Sequence, residues 1–177
     1  MSDVMLGLGP ILIVALGAML LMLAEAFGRP VAATVEASSE SLVLDAGLGR
    51  SREIGVGAAV VLFAGSLVSL GIWLAGPERF DLASVAPYLV MDRFALFVSF
   101  ILCLGGGISA LLAAGYLPEH RLDRAEFFPL MLFSTVGAQV LAAAGDFLSL
   151  FVGLETMSLG VYCMIGIRRG SPRAVEA

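Results

Sequence analysis

Lysine is missing from this sequence: all ten basic residues are arginine. Histidine occurs once and cysteine twice. His120 stands beside Arg121 in a polar stretch, where a lone histidine does not make a metal site and reads as solvated. Cys103 and Cys163 both fall inside apolar runs, which argues against a disulfide framework and makes them small packing residues. There is no P-loop, no cysteine cluster for iron–sulfur and no G-x-G-x-x-G. Gly105-Gly106-Gly107 lies within an apolar run, an unsuitable place for a phosphate. The arginines do not gather into a basic patch and the net charge is −5, so a nucleic-acid partner is excluded.

Apolar residues are abundant. They make up 59% of the chain, and the mean hydropathy is +0.99. A soluble domain sits near 45–50% apolar, so the chain falls in the membrane class. The hydrocarbon core of a bilayer is about 30 Å thick, and a helix rising 1.5 Å per residue needs about 20 apolar residues to cross it. Five runs qualify, at about 6–27, 54–75, 94–115, 127–144 and 147–167. The alternating ten-residue segments of a membrane barrel are missing, so the fold class is an all-α membrane protein with five transmembrane helices. The first run is not expected to be a cleaved signal peptide, because Asp3 precedes it and the first arginine is Arg29.

Arginine placement predicts orientation. Arg29, Arg50, Arg52, Arg121, Arg124, Arg168, Arg169 and Arg173 fall on one side of the five runs, and Arg79 and Arg93 on the other. This predicts an outside N-terminus and a cytoplasmic C-terminus. The linker 28–53 is polar, with 36-EASSE-40 at its centre, and is compatible with either disorder or a surface helix. Gly76, Pro77 and Pro87 turn the chain between the second and third helices. Gly145-Asp146 is the only break between the last two, which forces an antiparallel hairpin whose second helix Asp146 could cap. Gly106, Ala110 and Ala114 recur every four residues, a stripe that lets backbones approach. Thr135 and Gln139 stand one turn apart and should face a partner helix, either as helix–helix hydrogen bonds or as the lining of a hydrated passage.

The stretch 147-FLSLFVGLETMSLGVYCMIGI-167 carries one charge, Glu155, close to its middle. An acidic residue at the centre of a membrane helix costs about 2.5–3.5 kcal/mol on insertion scales. At helical spacing Glu155 shares a stripe with Phe151, Ser158, Tyr162 and Gly166, which is expected to be the buried face. A buried carboxylate is driven toward its neutral form by desolvation and toward its charged form by a nearby cation. Balanced between the two, it can take up and release a proton; locked by hydroxyls or a base, it only specifies packing. Glu25 reads as an exposed charge at the end of the first helix. No basic residue falls inside the five runs, and Arg168 lies thirteen residues beyond Glu155, about 20 Å along a helix. Either Glu155 stays protonated, or its partner comes from elsewhere.

The stretch 146-DFLSLFVGLETMSLGVYCMIGIRR-169 resembles the fifth helix of the antiporter-like membrane subunits of respiratory complex I. Two further stretches support the match: 91-MDRFALF-97 is similar to the start of the third helix, and 126-EFFPLMLFSTVGAQVLAAAGDFLSLF-151 to the fourth helix and its turn. The tail 171-SPRAVEA-177 is similar to the segment leading into the sixth. Gly153-Leu154-Glu155 favours subunit N of the bacterial NADH–quinone oxidoreductase, the counterpart of mitochondrial subunit 2, over subunits L and M.

The resemblance implies a proton-translocating subunit of about fourteen helices, in two inverted five-helix repeats, located in the bacterial inner membrane. It implies that Glu155 is the proton-relay carboxylate, paired in the family with a lysine on a broken seventh helix. Ser158, Tyr162, Thr135 and Gln139 form the expected supporting polar face. Residues 1–125 would hold three N-terminal helices and residues 126–177 the start of the first repeat, so the chain is expected to be the N-terminal part of the subunit and inactive alone. No cofactor is expected on this chain. NADH, flavin, iron–sulfur clusters and quinone would be handled by partner subunits of the membrane arm and beyond. Related cation/proton antiporter or membrane-bound hydrogenase subunits are the near alternatives, and a non-transporting scaffold fragment the structural one.

Overall fold

The computed structural model describes residues 2–27, 40–79, 85, 87–119 and 125–166. Their order is α1 (Ser2–Gly7), α2 (Gly9–Phe27), α3 (Glu40–Ala75), a single 3₁₀ turn Pro77–Arg79, α4 (Arg93–Glu119), α5 (Phe127–Ala142) and α6 (Phe147–Gly166). The architecture is all-helical, as expected. Among the described residues four helices are long and apolar enough to cross a membrane, and α5, at 16 residues, is a shorter apolar helix. Expectations for His120, residues 28–39 and the tail 171–177 fall outside the described residues.

Boundaries differ from the sequence reading where polar and apolar signals overlap. The first run starts earlier, at Ser2, and is divided at Leu8, just before Gly9 and Pro10. Proline lacks the N–H that a helix interior requires, so the ladder is interrupted there. Leu12 N–H still reaches the Leu8 carbonyl at 3.0 Å, so the chain passes on without reversing. The largest difference is α3, which begins fourteen residues before the expected run, so 40–53 takes the helical one of the two readings left open and continues directly into the apolar run. Its end is sharper. Gly76 adopts φ 92°, and its N–H donates to the Ile72 carbonyl at 3.0 Å. Only glycine adopts that left-handed position without penalty, and Pro77 then prevents continuation.

Helices α2 to α5 form a bundle. α3 lies against α2 and α4, and α5 fills the groove between α2 and α4. Small residues set the spacing. Ala110 and Ala114 are buried, and a Cβ on Gly106 would meet Leu62 of α3 at 3.3 Å, so the expected stripe on α4 is the α3–α4 contact. The interior divides into two apolar clusters. One contains Val14, Ala58, Leu62, Cys103, Ala110, Phe128 and Leu132. The other, toward the start of α4, contains Ile11, Ile72, Met91, Ala95, Leu96 and Ala143. In lipid this interior is held by close packing rather than by escape from water.

Glu25 is half-buried rather than exposed. A Cβ on Gly17 would meet Val61 and one on Gly57 would meet Leu21 at 3.2 Å, so α2 and α3 run antiparallel in close register. The last turn of α2, with Glu25, therefore lies beside the helical extension of α3.

Candidate functional site

The start of α6 is fixed by its own sequence. Asp146 Oδ1 accepts a hydrogen bond from the Ser149 backbone N–H at 2.8 Å, an N-cap that satisfies one of the free donors of the first turn. Hydrogen bonds from the Ser149 hydroxyl and then from its N–H favour the carboxylate, holding Asp146 below its ordinary pKa. Asp92 does the same for α4, accepting from the Ala95 N–H at 2.8 Å. The two helix starts are then tied together. Val90 N–H donates to the Ala143 carbonyl at 2.7 Å, and Gly145 N–H donates to the Tyr88 carbonyl at 2.8 Å.

The hairpin expected from Gly145-Asp146 is present, and α6 packs along α5. Contact is through glycine on both sides. A Cβ on Gly137 would fall 2.8 Å from the Gly153 carbonyl oxygen, and one on Gly153 would fall 2.7 Å from the Leu141 nitrogen. On Gly160 it would lie 2.9 Å from the Ser134 Cβ and 3.1 Å from the Leu130 carbonyl. Such approaches are possible only without a side chain. The Ser134 hydroxyl adds an interhelical hydrogen bond to the Met157 carbonyl at 3.1 Å.

This geometry corrects one expectation. The stripe of Phe151, Glu155, Ser158, Tyr162 and Gly166 is not the buried face of α6 within these residues. The buried face carries Gly153 and Gly160, while Phe151 is 52% and Tyr162 67% exposed. The physical reason is the backbone approach: the side of α6 that can come closest to α5 is the one without Cβ atoms, and Glu155 lies nearly opposite it. Glu155 is exposed and Ser158 half-buried beside it. Among the described residues no basic side chain pairs with Glu155; Arg93 pairs instead with Glu78, at 3.7 Å.

The remaining polar residues separate. Thr135 is half-buried, and its hydroxyl donates to the Met131 carbonyl of its own helix at 2.9 Å. Gln139 is fully buried and reaches α4, donating from Nε2 to Cys103 Sγ at 3.3 Å. Gln139 thus faces a partner helix as expected, while the Thr135 hydroxyl is spent locally. Neither is joined to Glu155, which lies on the far side of α6. The sequence reading missed the glycine contacts and the buried serines Ser69 and Ser99. The signals were available: Gly153 and Gly160 are seven residues apart, two helical turns, and a serine inside an apolar run demands a hydrogen-bond partner.

Comparison with known proteins bears out the resemblance. The chain is 53% identical over 173 residues, 97% of its length, to NADH-quinone oxidoreductase subunit N 1 of Sorangium cellulosum (strain So ce56), and covers 32% of that relative. It is 36% identical over 95 residues to NADH-quinone oxidoreductase subunit N of Trichlorobacter lovleyi, covering 54% of this chain and 20% of the relative. It is 42% identical over 88 residues to subunit N of Geobacillus sp. (strain WCH70), covering 49% of this chain and 18% of the relative. The chain therefore spans about a third or less of the length of these curated relatives. No family model matches, and no solved structure matches.

Proposed function

We propose that these residues form the N-terminal part of a membrane-arm subunit of NADH–quinone oxidoreductase, in which Glu155 relays protons. The similarity to a subunit N over 97% of the chain carries this reading. That the relatives above bear the NADH-quinone oxidoreductase name favours it over an antiporter or hydrogenase subunit. Electrons, NADH, flavin, iron–sulfur clusters and quinone would be handled by partner subunits. The membrane would be the bacterial inner membrane, with the N-terminus outside.

The open side of α6 supports the role given to Glu155. Gly153 and Gly160 spend one face on α5, and Glu155, Ser158 and Tyr162 face away from it, toward whatever the rest of the subunit supplies. A carboxylate there can meet a cation from a later helix, which in the resemblance is a lysine. A change of charge near one member of such a pair shifts the pKa of the other, and that coupling moves a proton. Glu155→Gln in the complete complex tests this. Proton pumping driven by NADH oxidation should fall at least tenfold while the assembled complex is recovered in normal amount. Loss of assembly in step with pumping would give Glu155 a packing role instead.

A further inference from the structure

Helices α3 and α4 keep one antiparallel register along their contact. A Cβ on Gly106 would lie 3.3 Å from Leu62, and one on Gly65 would lie 3.2 Å from Cys103 Sγ. Farther along, Ile72 shares a cluster with Leu96. In each pair α3 advances by as many residues as α4 recedes, so Ser69 stands opposite Ser99, between the Cys103 layer and the Ile72–Leu96 layer. Helix α5 brings a third polar group to the adjoining Cys103 layer. Gln139 donates to Cys103, and Ala143, one turn farther, sits in the cluster with Ala95 and Leu96. The path of α5 thus carries it past Ser99.

All three side chains are out of reach of solvent and lipid: Ser69 and Gln139 are 0% exposed and Ser99 is 1% exposed. Ser69 Oγ donates to the Gly65 carbonyl at 2.9 Å and keeps its lone pairs. Ser99 Oγ and Gln139 Oε1 have no hydrogen-bond partner among the described residues. Two unpaired polar atoms about one helical turn apart inside an apolar bundle are costly unless something small and polar joins them.

We propose that Ser69, Ser99 and Gln139 bind a single water molecule at the centre of the α2–α5 bundle. The Ser99 hydroxyl donates to the water, and the water donates to Gln139 Oε1 and to the Ser69 oxygen. That gives it about three hydrogen bonds, the usual complement of a buried water. Apolar side chains close the site on both sides: Val14 and Leu62 on one, Ile72, Leu96 and Ala143 on the other. The water is therefore an isolated pin holding α3, α4 and α5 in register. It is separate from the Glu155 side of α6.

The experiment uses the full-length subunit in its native membrane assembly. A map fine enough to show ordered waters should contain a density peak within about 2.6–3.2 Å of both Ser99 Oγ and Gln139 Oε1. No peak there, with the Ser99 hydroxyl turned onto the Ala95 carbonyl, overturns the proposal. Thermal unfolding of Ser99→Ala, Gln139→Leu and the double variant gives an independent answer. A shared water couples the two sites, so each single change lowers Tm and the pair lowers it by less than the sum. A dry site gives the opposite sign for Ser99→Ala, an unchanged or raised Tm, because an unpaired hydroxyl has been removed.

Discussion

Helices α4 and α6 begin alike and end up in different surroundings. Each is capped by an aspartate that accepts from the N–H three residues on, and each is apolar enough to cross a membrane. Yet a third of the apolar stretch of α4 is buried within the bundle, against 11% of that of α6. Helix α4 has small residues toward α3 and further contacts with α5, whereas α6 has its glycines toward α5 and its one charge on the opposite side. The difference teaches that capping and hydropathy make a helix, while the distribution of small residues decides which side is closed within the chain and which is left for something else. Glu155 lies on the side left open.

The most direct way to break this contrast is to put a side chain into the closed side of α6. Gly153→Val should part α5 from α6, since its Cβ would fall 2.7 Å from the Leu141 nitrogen, a backbone atom that cannot step aside. A loss on the order of 3 kcal/mol is expected, at the upper end of ordinary overpacking, seen as a lower yield of folded protein and a lower Tm. Gly105→Val on α4, where a Cβ meets nothing within 4 Å among the described residues, should be nearly neutral by the same measurements. If both changes are equally harmful, close approach is not what holds the hairpin.

The bundle side of the comparison is sharpened by Phe128→Ala. Phe128 is fully buried among Ala114, Leu132 and their neighbours, and truncation should cost about 3–5 kcal/mol through the cavity left behind. Leu159→Ala on the open side of α6 should change the stability of this part of the chain by no more than about 0.5 kcal/mol. Chemical denaturation of the two variants side by side would separate them. A smaller effect is expected at the shared feature: Asp92→Ala removes the α4 cap and should cost about 1 kcal/mol.

Asp146 gives the mildest effect and a definite sign. Its pKa is lower in the folded chain than its ordinary value because Ser149 donates to the carboxylate. The stabilisation is therefore fully present above the ordinary aspartate pKa and is lost as pH falls through the lower, folded value. Asp146→Asn, which can still cap but does not titrate, should remove that part of the acid sensitivity in a pH series of melting curves.

Much of the fold was legible from run length alone. Five apolar runs were expected, and helices cover all five. The extension of α3 to Glu40 was only half legible, because 40–53 mixes polar and small residues and left disorder and a helix equally open. Glu155 stood out as a lone charge in an apolar segment. Its face did not, because a stripe containing a carboxylate and two hydroxyls suggests burial, whereas glycine spacing decided the contact. The Gln139–Cys103 hydrogen bond needed the register of α5 against α4, which no single helix displays.

The two main-chain hydrogen bonds joining residues 88–90 to 143–145 fix where α6 starts, and the glycine contacts fix its course along α5. Clasped at the base and seated at Gly153 and Gly160, α6 is held to α5 as one rigid pair rather than hinged at a single end. Glu155, eight residues from Phe147, is thereby carried about 12 Å along the helix from the clasp, at a height set by the hairpin itself.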